Sequence, residues 1–109
     1  MDATANVIQN LNDAFRTTFN GGKVLLSASV AGLDDRLRST ALSRVRSFDN
    51  FSEDNDPHGE HDFGAFDLAE YKFFWKIDYY DDRCEFGSEN PADPKVTTRV
   101  LTVMLAEDY

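Results

Sequence analysis

Both histidines of the chain lie in one short acidic stretch, where the residue types could best support chemistry. The segment from Glu53 to Gly64 holds five acidic residues together with His58 and His61. Carboxylates and imidazoles together suit a divalent metal ion, and carboxylates also recognise basic partners. Three interpretations are therefore open for this segment: metal ligation, partner recognition or a purely structural loop.

A metal-dependent enzyme centred on this segment would draw on four residues, Asp56, His58, Glu60 and His61. The spacing is unfavourable, because the histidines are three apart in a loop and do not form the His-Glu-x-x-His helix motif of metalloproteases. The beginning at 54–56 is similar to a calcium loop, but the glycine and final glutamate that an EF-hand needs fall elsewhere. We predict no metal and no cofactor, and keep the enzyme as the alternative.

The structural interpretation rests on the short polar side chains of the same segment. Asp and Asn side chains often hold long turns together by accepting hydrogen bonds from nearby backbone amides. His61 would then pin the loop to the sheet. Between these two interpretations stands a recognition loop, in which exposed carboxylates and His58 meet a basic partner, since loops on a rigid scaffold commonly carry binding.

A second acidic group follows one strand later. Asp78 and Tyr80 share a face of a predicted strand, and the next turn adds more carboxylates. Tyrosine beside carboxylate is favourable for protein binding, because tyrosine supplies a large contact area at low entropy cost. We predict no catalytic residue. The predicted partner-binding residues are Asp54, Asp56, His58, Glu60, Asp78, Tyr80, Asp81, Asp82 and Glu85.

Charge is distributed unevenly along the chain. The net charge is -9, with +2 on residues 1–48 and -11 on residues 49–109. Such a field repels nucleic acid and attracts basic protein surfaces. We therefore expect no direct nucleic-acid binding. The basic face of the helix predicted at 34–48 is the one candidate site for an anionic partner.

Length and cysteine content set further bounds. The 109 residues fit a single domain, 1–109. The lone Cys84 excludes an internal disulfide and a cysteine-built zinc site, and favours a reducing, cytoplasmic setting. No apolar run approaches the ~20 residues of a membrane helix, so no membrane association is expected.

Hydrophobic periodicity predicts an α+β fold of about three helices on a small, mainly antiparallel sheet of three or four strands, with the helices on one face of that sheet. Helices are predicted at 3–19 and 34–48, and a strand at 24–30. A hairpin of strands at 61–68 and 71–80 is followed by a third strand at 83–86. The dipeptide Asp93-Pro94 predicts a closing helix that buries Val96, Val100, Leu101, Met104 and Leu105. The predicted order is α-β-α-β-β-β-α.

Nearly the whole chain resembles a family of small uncharacterised bacterial proteins, a domain of unknown function. The resemblance rests on FDNFSEDNDPHGEHDFG (48–64), WKIDYYD (75–81) and the ending from Asp93-Pro94 through TTRVLTVMLA (97–106). The family provides no activity and no catalytic residue to transfer. What the resemblance implies is context, because such proteins are often encoded on plasmids, phages and other mobile elements near anti-restriction genes.

The leading hypothesis is a non-enzymatic acidic inhibitor of a bacterial nucleic-acid-handling defence complex, of the anti-CRISPR or anti-restriction type. It would act as a DNA mimic, masking a basic surface of a protein or ribonucleoprotein effector. The protein is expected to be a monomer or a weak homodimer. A further alternative is a structural or regulatory protein of a mobile element, dimerising through an exposed sheet edge.

Overall fold

The computed structural model describes residues 3–109 and contains three α-helices and four strands. The helices are α1 (Ala3–Thr18), α2 (Ala28–Ala31) and α3 (Asp35–Arg46). The strands are β1 (Gly22–Leu26), β2 (Phe63–Leu68), β3 (Tyr71–Tyr80) and β4 (Thr98–Leu105), followed by a 3₁₀ turn at Ala106–Asp108. Within residues 3–109 no helix combines the length and the apolar character that crossing a membrane requires.

The four strands form one mixed sheet in the order β1-β4-β3-β2. β3 pairs antiparallel with both β2 and β4, whereas β1 runs parallel to β4. The α+β class and the mainly antiparallel sheet are confirmed. The last strand of the sequence occupies a central position, because β4 lies between the first strand and the β2–β3 hairpin.

All three helices pack on the same face of this sheet, as predicted. Phe73 and Trp75 alternate onto one face of β3 and are completely buried. They belong to a single cluster with Phe15 of α1, Val30 of α2 and Val45 of α3. Burying side chains of this size contributes roughly 1.5–3 kcal/mol each. The opposite face of the sheet carries no helix among the described residues.

Capping residues account for the helix starts in the first half. The Asp34 carboxylate accepts a hydrogen bond from the Leu37 amide at 2.9 Å, which begins α3 as the sequence indicates. Ser27 does the same for α2 by accepting from the Val30 amide. The strand predicted at 24–30 is therefore too long: it ends at Leu26, where Ser27 starts a helical turn.

The closing helix predicted from Asp93 is wrong, since residues 98–105 form β4. This strand is buried on both faces, with Leu101 and Val103 against the helices and Val100 and Met104 on the other side. In a strand that is buried on both faces, apolar residues do not alternate with polar residues. Its sequence can therefore be mistaken for that of a helix. Asp93 instead forms a local turn, its carboxylate accepting from the Lys95 amide at 2.9 Å.

The strand predicted at 83–86 is also wrong. The chain does turn back after β3, but among the described residues the pairing is a single bridge between Tyr80 and Gly87. Its hydrogen bonds run from the Asp81 amide to the Phe86 carbonyl and from the Ser88 amide to the Tyr79 carbonyl. Cys84 has a φ of 57°, a left-handed conformation that interrupts an extended strand. The segment is a folded loop between β3 and β4.

Replacing Gly64 tests the packing of the hairpin on the core. A Cβ added at Gly64 would collide with the buried indole of Trp75. We expect Gly64→Ala to lower the free energy of unfolding by about 1–3 kcal/mol, the usual range for overpacking. Urea unfolding measures the change. Gly87→Ala is the matched control, because its nearest neighbour would lie 3.9 Å away, and it should change stability by less than about 0.5 kcal/mol.

Candidate functional site

The acidic central loop, residues 49–62, is held against α1 by polar side chains of that helix. Gln9 donates to the Gly59 carbonyl at 2.9 Å, and Asn12 donates to the Glu60 carbonyl at 2.9 Å. Together with Asp13 and Arg16, these residues occupy positions three and four apart, which lie on one helical face. The loop is therefore packed on the helix, and the structural interpretation applies to most of it.

His61 is enclosed by two carboxylates and one ring. Its Nδ1 lies 2.9 Å from an Asp13 oxygen, and its Nε2 lies 3.7 Å from an Asp56 oxygen. The imidazole also stacks on Phe51, with the ring centroids 3.7 Å apart and nearly parallel. The sequence predicts that His61 pins the loop to the sheet, but its hydrogen-bond partner Asp13 lies on α1.

Asp56 lies inside the loop and stabilises its turn. The residue is 8% exposed, and one carboxylate oxygen accepts hydrogen bonds from the amides of Glu60 and His61 at 3.2 and 3.1 Å. A carboxylate so engaged is not available to a partner. The structure places this predicted binding residue in the interior, whereas Asp54 and His58 are exposed.

Glu60 belongs to a second polar network that reaches β3 and β4. The Tyr79 hydroxyl donates to the Glu60 carboxylate at 2.8 Å and accepts from the Asn12 amide at 2.8 Å. The Arg99 Nε donates to the Asn12 side-chain oxygen at 2.7 Å, and Arg99 also donates to the Pro91 carbonyl. Three segments, the central loop, β3 and β4, thus converge on Asn12 of α1, which is fully buried.

Burial shifts two ionisation equilibria in this network. Desolvation raises the pKa of Tyr79 well above its usual value, and the hydrogen bond to Glu60 raises it further. Burial likewise lowers the pKa of Arg99, an effect that the charge of Glu60 partly offsets. The raised pKa keeps the Tyr79 hydroxyl protonated, which is the form that donates to Glu60, whereas burial of Arg99 works against its charged form. The Tyr79 hydroxyl is therefore a structural donor to Glu60.

The residues proposed for a metal enzyme do not come together as ligands. Across residues 3–109, no group of three or more His, Cys, Asp or Glu side chains has an arrangement that could hold a metal ion. His58 is exposed, whereas both nitrogens of His61 face carboxylates within the loop network. Among the described residues, the four side chains named for the metal-dependent alternative therefore do not form a set of metal ligands.

The other acidic group has a different environment. Asp81 accepts hydrogen bonds from the amides of Arg83 and Glu85 at 3.2 and 2.9 Å, which folds the turn after β3. The hydrogen bond from the Glu85 amide holds the pKa of the Asp81 carboxyl below its usual value, so the group remains ionised. The carboxylates of Asp82 and Glu85 are exposed and make no protein hydrogen bond among the described residues.

Apolar side chains lie among these carboxylates. Phe86 is 72% exposed and Val96 is 42% exposed. Both line a shallow pocket of about 480 Å³ with Asp81, Asp82 and Glu89. We call residues 81–89 together with Val96 the acidic end. It combines a preorganised turn, an exposed aromatic ring and carboxylates at its margin.

Asp78 and Tyr80, which are also predicted to bind the partner, have a different orientation. They lie on the open face of the sheet, opposite the face on which Tyr79 meets Glu60. Asp78 is paired with Lys76 at 2.8 Å, which neutralises part of its charge. Asp78 and Tyr80 therefore do not share a surface with the Glu60 network. The acidic end remains as the exposed part.

Sequence reasoning missed four residues of the loop network: Gln9, Asn12, Asp13 and Arg99. A signal was present, because Asn12 falls on the same helical stripe as Ile8 and Phe15. A polar residue at a core position needs hydrogen-bond partners, and here its partners are Glu60, Tyr79 and Arg99.

The fold defines an α+β domain with an open, mixed four-stranded sheet, and comparison with known families gives its membership. Residues 26–108 match a family described as protein of unknown function (DUF3768), and the chain belongs to this family. The matched region includes the central loop and the acidic end. No curated protein and no solved structure matches the chain.

Removing the Asn12 side chain tests the central network. Asn12→Ala leaves the Arg99 Nε and the Glu60 carbonyl without this partner in a buried region. We expect a loss of about 2–4 kcal/mol in the free energy of unfolding, which corresponds to one or two unsatisfied buried groups. Denaturant titration gives the value. Asn10→Ala on the exposed side of α1 is the control and should change stability by less than about 0.5 kcal/mol.

Asp62 provides a test with a defined pH dependence. Burial, with the charges of Glu60 and Asp56, raises the pKa of Asp62 above its usual 3.8. A raised carboxyl pKa means that the folded state binds the proton more tightly, so this group lowers stability as pH rises through its folded pKa. We expect Asp62→Asn to unfold at higher urea than the wild type at pH 7. The gain should vanish below pH 3.8, and a gain independent of pH would contradict this origin.

Proposed function

We propose that this protein is a non-enzymatic binding protein that masks a basic surface of a partner through its acidic end. The observation that carries the proposal is the exposed ring of Phe86 beside the exposed carboxylates of Asp82, Glu85 and Glu89. An apolar anchor with charges at its margin is the usual composition of a protein-binding surface. The turn is already folded by Asp81, so little order is lost on binding.

Charge supports the same proposal. The acidic end lies in the half of the chain that carries -11, whereas several other acids of that half are engaged internally. A concentrated negative field accelerates encounter with a basic surface and disfavours nucleic acid. The partner is thus a protein or ribonucleoprotein surface that normally contacts nucleic acid.

The partner class proposed is a bacterial nucleic-acid-handling defence complex, of the CRISPR or restriction type. Its support is the resemblance to small proteins of plasmids and phages, together with the acidic surface. Binding would be steric and electrostatic: the acidic end would occupy a site that phosphates otherwise occupy, as a DNA mimic does. No covalent step is required.

Charge reversal at the acidic end tests the mechanism. We expect the double variant Asp82→Lys/Glu85→Lys to bind the partner at least tenfold more weakly at low salt, because two attractive contacts become repulsive. The affinity of the variant should also depend less on salt. Asp81 is left unchanged, since its carboxylate folds the turn.

The control is Glu70→Lys/Glu107→Lys, which makes the same change in net charge at exposed positions outside the acidic end. The readout is phage plating efficiency in bacteria with an active CRISPR or restriction system, followed by copurification of the tagged protein at low and high salt. Wild type and control should protect phage and retain one defence effector, and the double variant should do neither. Equal loss of phage protection and effector binding in both variants would indicate a general charge effect. Equal retention of both in the two variants would contradict the acidic-end site.

A further inference from the structure

The edge strand β2 presents unpaired backbone groups in a regular pattern. The Ile77 amide donates to the Asp62 carbonyl at 2.8 Å, so these two residues are a hydrogen-bonded pair. This pair determines which residues of β2 direct their backbone groups toward β3. Hydrogen-bonded pairs alternate along an antiparallel ladder, so the even-numbered residues of β2 bond to β3. Phe63, Ala65 and Asp67 therefore direct their N–H and C=O groups outward. No residue in 3–109 pairs with these groups.

Nothing in the composition of β2 protects this edge. Native edge strands are usually blocked by proline, lysine, a bulge or a covering segment. The strand reads FGAFDL, and Asp67 is its one charged residue. An open groove of about 460 Å³, lined in part by Arg44, Ala65 and Asp67, runs beside it. The edge is thus accessible to another extended strand.

We propose that β2 pairs antiparallel with β2 of a second copy of this chain, with Ala65 opposite Ala65. In this register Phe63 lies opposite Asp67 of the second copy, and Asp67 lies opposite Phe63 of the second copy. All outward backbone groups of 63, 65 and 67 then find partners, because each narrow pair exchanges two hydrogen bonds. The result is a two-fold symmetric, eight-stranded sheet.

Side chains favour a second copy as the occupant. The small Ala65 lies on the symmetry axis, and each Phe66 lies opposite Gly64 of the other copy, so large and small residues alternate across the junction. The two Asp67 residues are four positions apart along the strands, about 13 Å. That separation exceeds the ~10 Å screening length at 0.1 M salt, so their repulsion is weak.

The effect of salt distinguishes this dimerisation from the partner binding proposed for the acidic end. Each copy carries -9, and the resulting long-range repulsion opposes self-association. Added salt screens it, so the dimer should strengthen with salt. Binding of a basic partner should weaken under the same conditions. The two proposals can therefore fail independently.

Sedimentation velocity over a concentration series at 0.05 and 0.5 M NaCl measures the association. We expect a reversible dimer, populated more at the higher salt. Ala65→Pro removes one outward N–H from each copy and leaves the bonds to β3 in place. It should weaken the dimer at least ~tenfold while circular dichroism stays unchanged.

Cross-linking tests the register independently of folding effects. In a Cys84→Ser background, Ala65→Cys should form a disulfide-linked dimer with oxidised glutathione, because opposed residues of a narrow pair have Cα atoms ~5.5 Å apart. Leu25→Cys, exposed on the opposite edge strand β1, should not. A monomer at every attainable concentration would overturn the assignment and leave the edge to a strand from another protein. A dimer that cross-links equally at both positions would overturn the β2 register.

Discussion

The hydrogen bonds of the Asn12 side chain hold the outer parts of this protein together. One amide joins α1 to the central loop, to Tyr79 of β3 and to Arg99 of β4. Arg99 extends the connection to the loop that precedes β4 through the Pro91 carbonyl. Because the guanidinium is buried, its orientation depends on these neutral oxygens and on the nearby Glu60. A buried network of this kind is stabilising only while every member has its partner.

This network also determines which acids can act on other molecules. Asp56 and Glu60 are acidic in sequence but serve as internal acceptors, for backbone amides and for the Tyr79 hydroxyl. The negative electrostatic field outside the protein is therefore smaller than the number of carboxylates implies. It is concentrated at carboxylates that make no internal hydrogen bond. At the acidic end, Asp81 folds the turn and its neighbours remain exposed. Each loop thus contains carboxylates that stabilise its own fold and carboxylates that are exposed.

The class of fold could be predicted from sequence because its signals are local. The α1 stripe, the Asp34 cap and the alternation of Phe73, Trp75 and Ile77 each depend on neighbours in the chain. β4 could not be predicted in the same way. Its burial on both faces follows from lying between β1 and β3, which is a property of topology.

The candidate site was predictable only in part for a similar reason. Composition indicates that acids cluster at 53–62 and 78–85, but not whether a carboxylate faces solvent or an amide. That distinction depends on α1, about 50 residues from the loop, and on Arg99. The hydrogen bond between Asn12 and Arg99 spans 87 residues. Pairings of this range are not specified by any local pattern.

The position of β4 also bears on how the chain folds during synthesis. In the part of the chain that the structure describes, β1 has no strand neighbour other than β4, and the β2–β3 hairpin is joined to β1 through β4. Until residues 98–105 leave the ribosome, the nascent chain can form helices and the hairpin but cannot assemble the sheet that buries Phe15, Val45 and Trp75. The core therefore cannot close before β4 has left the ribosome. The newly made chain exposes its aromatic residues for that interval, when chaperones would bind it.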